Sequence, residues 1–143
     1  MAQALDGSGY GYLRRGADRS PTAIGFLSRM YFGLNRRDDE LRRGVARLHA
    51  WGPSEHDMYY NYYATQVMHH YGGAAWDDWN GELRERLIGT QSNAGCMTGS
   101  WFFVDEHAYA GGRLYTTALC TMILEVYYRH LPLYGEHSVD GEH

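Results

Sequence analysis

The sequence of 143 residues has little of what marks several classes of protein. It has only two cysteines and three prolines, and no apolar run of the about 18 residues that a membrane-spanning helix needs. Lys and Arg number 13 against 17 Asp and Glu, which gives a formal charge of -4, and the arginines are scattered among acids. Since no basic stripe could neutralise phosphates, we expect no binding of nucleic acid.

The two cysteines, Cys96 and Cys120, share no metal-ligand spacing and do not indicate a disulfide framework. A reducing, cytoplasmic compartment is therefore the expected location. No basic segment followed by an apolar stretch opens the chain, so no signal peptide is predicted. The mean hydropathy of -0.53 is typical of a soluble protein.

Aromatic residues are abundant, with 13 Tyr, four Trp and four Phe. The segment "MYYNYYATQVMHHYGG", residues 58–73, alone contains five tyrosines and two adjacent histidines. We therefore expect an interior rich in aromatic side chains, and this segment is the first place to look for a binding surface.

Apolar periodicity and stop signals predict five helices, at residues 21–33, 37–51, 58–71, 76–91 and 113–130. Ser20 is the expected N-cap of the first helix, with Pro21 at its first position. Gly72 and Gly73 end the third helix, and Pro132 ends the fifth.

The five predicted helices are of two kinds. The second and fourth each carry one apolar stripe, so their other face should meet water. The stripes are Leu41, Val45, Leu48 and Trp51, and Trp76, Trp79, Leu83 and Leu87. The first, third and fifth are apolar around most of their circumference and should be covered on nearly all sides. This alternation predicts an inner layer of three helices and an outer layer of two.

A repeat accompanies the alternation, because Leu41 and Val45 precede Leu83 and Leu87 by 42 positions. A period of this length is typical of stacked helical hairpins. We predict an all-α fold, either an α/α toroid or a layer of α-hairpin repeats, in which about five helices form a partial ring. Residues 1–134 would form a single domain, followed by a polar tail, residues 135–143, which we expect to be disordered.

The loop "TQSNAGCMTGSW", residues 90–101, joins one predicted hairpin to the next. It resembles the repeat element Gln, Gly, Trp of the terpenoid cyclase and protein prenyltransferase superfamily, which are α/α toroids. The matching residues are Gln91, Gly95 or Gly99, and Trp101. Gln91 could hydrogen-bond open groups at a helix end, the glycines would permit the turn, and Trp101 would cover it, so the element would clamp the hairpin.

The group that looks most similar is the bacterial, planctomycete-type prenyltransferase and squalene oxidase repeat proteins. Their C-terminal repeats look like residues 58–73 and like "GGRLYTTALCTMILEVYYRHLPLY", residues 111–134. The resemblance spans roughly residues 7–134 and implies an apolar or isoprenoid-like ligand. Because five helices do not close a ring, we expect either self-association or further repeats N-terminal to this chain.

Catalytic motifs of these families are missing. Cyclases use an Asp-x-Asp-Asp acid, whereas Asp38-Asp39 and Asp77-Asp78 each lie in the first turn of a predicted outer helix, where the helix dipole favours them. Prenyltransferases hold zinc with an Asp-x-Cys pair, but Ala118 stands where Cys120 would need the Asp. His69 and His70 point about 100° apart on a helix and cannot chelate one ion together. We therefore expect no metal site and no cofactor.

The third predicted helix has two faces, and the more polar one is the candidate ligand-binding wall. It comprises Tyr59, Tyr62, Gln66, His69 and His70. Aromatic faces of this kind suit an apolar ligand or a carbocation. The alternative is that these hydroxyls and rings are buried and hydrogen-bond one another.

Glu125 is the one acid within an otherwise apolar inner helix. A buried carboxylate needs a partner or a raised pKa, so Glu125 is a weak candidate for acid–base catalysis. Arg29 or Arg129 could instead hold it in a structural salt bridge.

Two functions remain open on the sequence. The first is a non-catalytic repeat segment that acts as a scaffold or as a module binding an apolar ligand or a protein. The alternative is the C-terminal part of a terpenoid-cyclase-like enzyme acting on a polyprenyl substrate. Fold class alone does not decide between them.

Overall fold

The structure, a computed structural model, describes residues 1–129, and these are mostly helical. The all-α fold class is therefore confirmed. The helices are α1 (Arg19–Tyr31), α2 (Asp39–Trp51), α3 (Met58–Tyr71), α4 (Ala74–Thr90), α5 (Glu106–Leu124) and α6 (Val126–Arg129), with a 3-10 turn at Gly95–Met97. Two short antiparallel strands, β1 (Ala2–Gln3) and β2 (Tyr10–Gly11), precede them. The predicted tail, residues 135–143, lies outside the described residues.

The helix packing fits the predicted layers in part, and the toroid arrangement stays a prediction. Helix α3 lies between α1 and α5, while α2 packs on α1 and α3, and α4 packs on α3 and α2. The apolar stripes of α2 and α4 face inward, as predicted. Leu41, Val45, Leu48, Trp79, Leu83 and Leu87 are buried, and Trp51 and Trp76 are partly buried against the same core.

Helix α3 is covered on all sides, as predicted, whereas α5 is not. Every residue of α3 is buried or half-buried, including Tyr60, Ala64 and Val67, which are fully buried. On α5, however, Tyr109 and Leu114 are 90% and 83% exposed. The expectation that this helix is covered nearly all round is therefore wrong within residues 1–129, because no described outer helix packs over that face.

Helix α1 begins at Arg19, two residues earlier than predicted, and Asp18 rather than Ser20 occupies the N-cap position. The peptide N–H of Asp18 donates to the carbonyl of Tyr10, and the carbonyl of Asp18 accepts from Thr22. Pro21 still fits, since none of the first four N–H groups of a helix has an intrahelical partner.

Helix α5 begins at Glu106 rather than at Arg113, and it is interrupted at Gly112 by a φ of 62°. Asp105 caps the added segment through the N–H of Ala108. The helix ends at Leu124 instead of continuing to residue 130, and α6 follows after Glu125. His130 and Pro132 lie outside the described part of the chain.

Residues 1–18, which we call the N-terminal strap, hold α1 and α2 together. Tyr10 is buried, its ring meets Phe26 edge-on, and its hydroxyl accepts a hydrogen bond from Arg29. Asp6 accepts from Arg43 and Arg47 of α2 through its carbonyl and its carboxylate. None of the described helices has the length and apolarity to cross a membrane.

Candidate functional site

The first turns of α1, α3 and α5 meet at one end of the inner layer. There they surround a hollow of about 610 Å³. Its lining residues are Tyr12, Ser20, Asp57, Asp105 and His107. Since the outer helices return the chain to the same end each time, the inner helices start side by side. A hollow of this size is within the range of small-molecule sites in proteins, about 300–1,000 Å³.

Two carboxylates in the hollow are helix caps. Asp57 Oδ1 accepts from the N–H of Tyr60 at 2.8 Å, and Asp105 Oδ1 accepts from the N–H of Ala108 at 2.6 Å. Asp57 Oδ2 also accepts from the Ser20 hydroxyl at 3.4 Å, which joins the starts of α1 and α3. Capping therefore fixes both carboxylates and uses one oxygen of each.

Aromatic rings stand beside these carboxylates. The ring centroid of Tyr59 lies 5.2 Å from that of His107, and Tyr63 lies 4.9 Å from Tyr59. Tyr115 lies 6.3 Å from His107 and extends the same cluster along α5. Tyr12, more than half exposed, brings another ring from the N-terminal strap.

Three phenols of this cluster, those of Tyr12, Tyr63 and Tyr115, have raised pKa values. Burial, and then the negative charges of Asp105 and Asp57, raise the pKa of Tyr115 to about 12. Burial and a hydrogen bond with Tyr59 raise the pKa of Tyr63 to about 12. Burial, with Tyr59, Asp57 and Asp18 nearby, also raises the pKa of Tyr12. The phenols of Tyr12, Tyr63 and Tyr115 therefore lie protonated beside the carboxyl groups of the hollow.

The polar face of α3 that the sequence singled out is divided between two places. Gln66, His69 and His70 are 4%, 7% and 1% exposed, and none of them lines the hollow. His70 Nε2 lies 3.3 Å from the Tyr31 hydroxyl, and the ring of His69 lies 5.0 Å from that of Trp76. This geometry favours the alternative of buried polar side chains that pack between helices.

The remaining two members of that face lie near the hollow. Tyr59 contacts His107, as above, and Tyr62 packs on Tyr63 with ring centroids 5.1 Å apart. The carbonyl of Tyr62 accepts from the Gln66 amide at 3.3 Å. A ligand-binding role for these five residues of α3 stays a prediction, and only Tyr59 directly adjoins a lining residue.

The structure brings Gln91, Gly99 and Trp101 together after α4. The Gln91 amide donates to the Gly99 carbonyl at 3.0 Å, and Trp101 Nε1 donates to the Leu87 carbonyl at 2.7 Å. Gly95 and Gly99 have φ values of 52° and 84°, which side chains other than glycine rarely allow. Trp101 is 4% exposed, so the element fastens the end of α4 to the start of the next inner helix.

Glu125 lies at the end of α5 and is only partly buried. Its side chain is 47% exposed, and Oε2 lies 3.6 Å from Arg129 Nη1. Arg29, the other proposed partner, pairs instead with Glu40. This arrangement is the structural salt bridge that the sequence left open, and Glu125 does not line the hollow.

No group of three or more His, Cys, Asp or Glu side chains within residues 1–129 is arranged to hold a metal ion. Cys120 is buried, and burial raises its pKa to about 12, so its thiol stays protonated, while Cys96 is exposed. Asp38 and Asp39 begin α2, and Asp77 lies in the first turn of α4, as predicted.

The hollow was not predicted from the sequence. The alternation of inner and outer helices did, however, contain a signal for its position. If inner helices are each separated by one outer helix, they run in the same direction, so residues just before each inner helix share one end. Applied to the observed helix starts, that rule points to Ser20, Asp57 and Asp105.

Comparisons with protein-family models, with curated proteins and with solved structures found no match to this chain. Nothing in them identifies a prenyltransferase or squalene oxidase repeat family. The resemblance and the functions that it implies therefore stay predictions, and the all-α fold with its hollow is what the structure shows.

Proposed function

We propose that this chain is a non-catalytic segment of α-hairpin repeats that binds a small molecule in the hollow at the N-terminal ends of α1, α3 and α5. One observation carries the proposal: three inner helices and the N-terminal strap line a half-open hollow of about 610 Å³ with both rings and polar groups. Sites for small molecules are typically concave, with aromatic walls and a few placed polar groups.

The non-catalytic part of the proposal follows from how the polar groups are used. The carboxylates of Asp57 and Asp105 each cap a helix through a short hydrogen bond to a backbone N–H. A carboxylate used in this way is fixed in place by the helix that it caps. These groups are therefore suited to holding a ligand in place.

The test is a titration followed by amide chemical shifts, which suits a chain of 16.4 kDa. Three probes share one ring and differ in charge: benzylammonium, benzyl alcohol and benzoate. We expect at least one to cause saturable shifts that concentrate at residues of the hollow, such as Tyr12, Asp57 and His107. Failure of all three to do so, or shifts scattered over the outer helices, would contradict the proposal.

A scaffold role through self-association is favoured by a second observation, the exposed face of α5. Tyr109 and Leu114 are 90% and 83% exposed there. Exposed apolar side chains on an inner-layer helix suit packing against a second copy of the chain. Light scattering should then show a dimer or larger oligomer. Leu114→Lys should dissociate it, whereas Ile88→Lys, an exposed position on α4, should leave it intact. A monomer at every concentration would contradict this role.

A further inference from the structure

We propose that the ligand of the hollow is an organic ammonium ion, that is, a small molecule carrying an amine protonated at neutral pH next to an apolar group. This inference rests on the proposed function, because it names the class of molecule that the hollow takes. It is argued from the charges, the rings and the hydrogen-bond positions at the three helix starts.

The charge of the lining is negative. Asp57 and Asp105 each contribute one full negative charge, and no Lys or Arg is among the five residues that line the hollow. Arg19, next to Ser20 in the chain, lies over the ring of Tyr60 and donates to the carbonyl of Trp51. Its guanidinium is therefore held by contacts with α3 and with the end of α2.

Helix N-termini favour anions, which argues for an anionic ligand instead of an ammonium ion. Each N-terminus is equivalent to at most about half a positive charge. The starts of α1, α3 and α5 thus contribute at most about one and a half positive charges, against the two carboxylates of Asp57 and Asp105 that cap α3 and α5. The balance is negative, and an anionic ligand would also meet these carboxylates at short range.

Hydrogen-bond acceptors remain for an ammonium group. The cap to Ala108 uses Asp105 Oδ1. The other oxygen, Asp105 Oδ2, makes no hydrogen bond within residues 1–129. Asp57 Oδ2 has only the long bond from Ser20 at 3.4 Å. An ammonium group has up to three N–H donors, and donors that are charged make the stronger hydrogen bonds to a carboxylate.

The rings supply the second half of the recognition. Tyr12 and His107 line the hollow, and Tyr59 packs against His107. The face of an aromatic ring attracts a cation, and the same ring buries the apolar part of an amine.

The experiment uses the three probes above with variants that remove charge but keep the fold. Asn caps a helix as well as Asp does, so Asp57→Asn and Asp105→Asn should keep the caps of α3 and α5. Asp78→Asn is the matched control, since its carboxylate faces His49 on α2 and it does not line the hollow. All three variants change the net charge of the chain equally.

We expect benzylammonium to bind at least about tenfold more tightly than benzyl alcohol, a difference that corresponds to about 1.4 kcal/mol. Asp57→Asn and Asp105→Asn should each weaken benzylammonium binding by about fivefold or more, from loss of one close opposite charge, and leave benzyl alcohol unchanged. Asp78→Asn should change neither.

The outcomes separate the two proposals. Benzyl alcohol or benzoate binding in the hollow as tightly as benzylammonium would overturn the ammonium inference and leave the binding function standing. Equal weakening of benzylammonium by Asp78→Asn would also overturn it, because the effect would then come from net charge alone. Absence of any binding at the hollow by all three probes would overturn both.

Discussion

The first turn of α1 and the part of α5 that follows its break at Gly112 are fastened in the same way but are covered differently. At α1, the N–H of Tyr10 donates to the Thr22 hydroxyl at 2.9 Å, and that hydroxyl donates to the Tyr10 carbonyl at 3.2 Å. At α5, Trp101 and Thr117 make the same two hydrogen bonds at 3.1 and 3.2 Å. In each case an aromatic residue of the preceding loop is fastened to a threonine of the inner helix.

The start of α3 repeats the exchange with other residues. Asn61 accepts from the N–H of Ser54 and donates to its carbonyl, both at 2.8 Å. We call these three pairs the clasps. Each satisfies a backbone N–H and a C=O of a loop that runs against the helix layer, where an unpaired group would be costly.

The clasps at α1 and α5 differ in how deeply they are buried. The clasp at α1 is buried under the N-terminal strap, with Thr22 fully buried and Tyr10 8% exposed. At the clasp of α5 Trp101 is as well buried, at 4% exposed, but the threonine side is more open, since Thr117 is half-buried and Leu114 nearby is exposed. A clasp therefore fastens the preceding segment to an inner helix, whereas burial depends on what else packs over the layer.

The largest effect is expected at the more open end. Trp101→Ala removes a buried ring and the donor to the Leu87 carbonyl, so it should lower the free energy of unfolding by about 3–5 kcal/mol. Trp101→Phe keeps most of the ring and loses the donor, which should cost about 1–3 kcal/mol. Urea unfolding followed by circular dichroism measures both. A cost below about 1 kcal/mol for the alanine variant would mean that the open end does not depend on its clasp.

The next comparison is between one glycine in each outer helix, α2 and α4. Gly44 of α2 lies against the ring of Phe26, where an added methyl group would collide with the ring, whereas Gly81 of α4 faces open space. Gly81→Ala should stabilise the protein by about 0.5–1 kcal/mol through helix propensity. Gly44→Ala gains the same propensity but overpacks the core, which costs about 1–3 kcal/mol.

The measurement is the difference in the free energy of unfolding between these two variants. We expect Gly44→Ala to be the less stable by about 1–3 kcal/mol, because only its site is occupied by a neighbouring side chain. Equal stability of the two variants would show that α1 and α2 do not approach as closely as the structure places them.

The clasps themselves can be compared with one isosteric change. Thr22→Val and Thr117→Val each remove the hydroxyl that satisfies an N–H and a C=O. At the buried clasp water cannot replace it, so Thr22→Val should cost about 1–2 kcal/mol more than Thr117→Val. Amide exchange at Tyr10 should also accelerate more than at Trp101. Equal costs would contradict the difference in cover.

Much of the fold could be predicted because local signals agree with tertiary packing. The third helix was placed correctly since Asp57 caps its start and Gly72 ends it, with a φ of 71°. The stripes of α2 and α4 identified their buried faces for the same reason. The fifth helix was predicted to start at Arg113, but the Asp105 cap adds a segment before the break at Gly112.

The candidate site could not be predicted in the same way, because it depends on long-range packing. Tyr12, Asp57 and His107 are far apart in the chain and meet only when three inner helices start at one end. The α3 histidines were conspicuous by their side chains, yet neighbouring helices bury them. Residue type indicated chemistry, while helix direction decided which residues meet.

The smallest effect is expected at Glu125, which the sequence offered as a weak candidate for acid–base chemistry. The salt bridge to Arg129 spans one helical turn and both side chains are about half exposed, at 47% and 52%. Exposed pairs of this kind contribute about 0.3–0.5 kcal/mol. Glu125→Gln should therefore change the free energy of unfolding by less than about 0.5 kcal/mol and leave benzylammonium binding unchanged. A larger loss of stability, or weaker binding, would mean that this end of α5 is buried against a partner or reaches the hollow, and the contrast between a closed and an open end would then need revision.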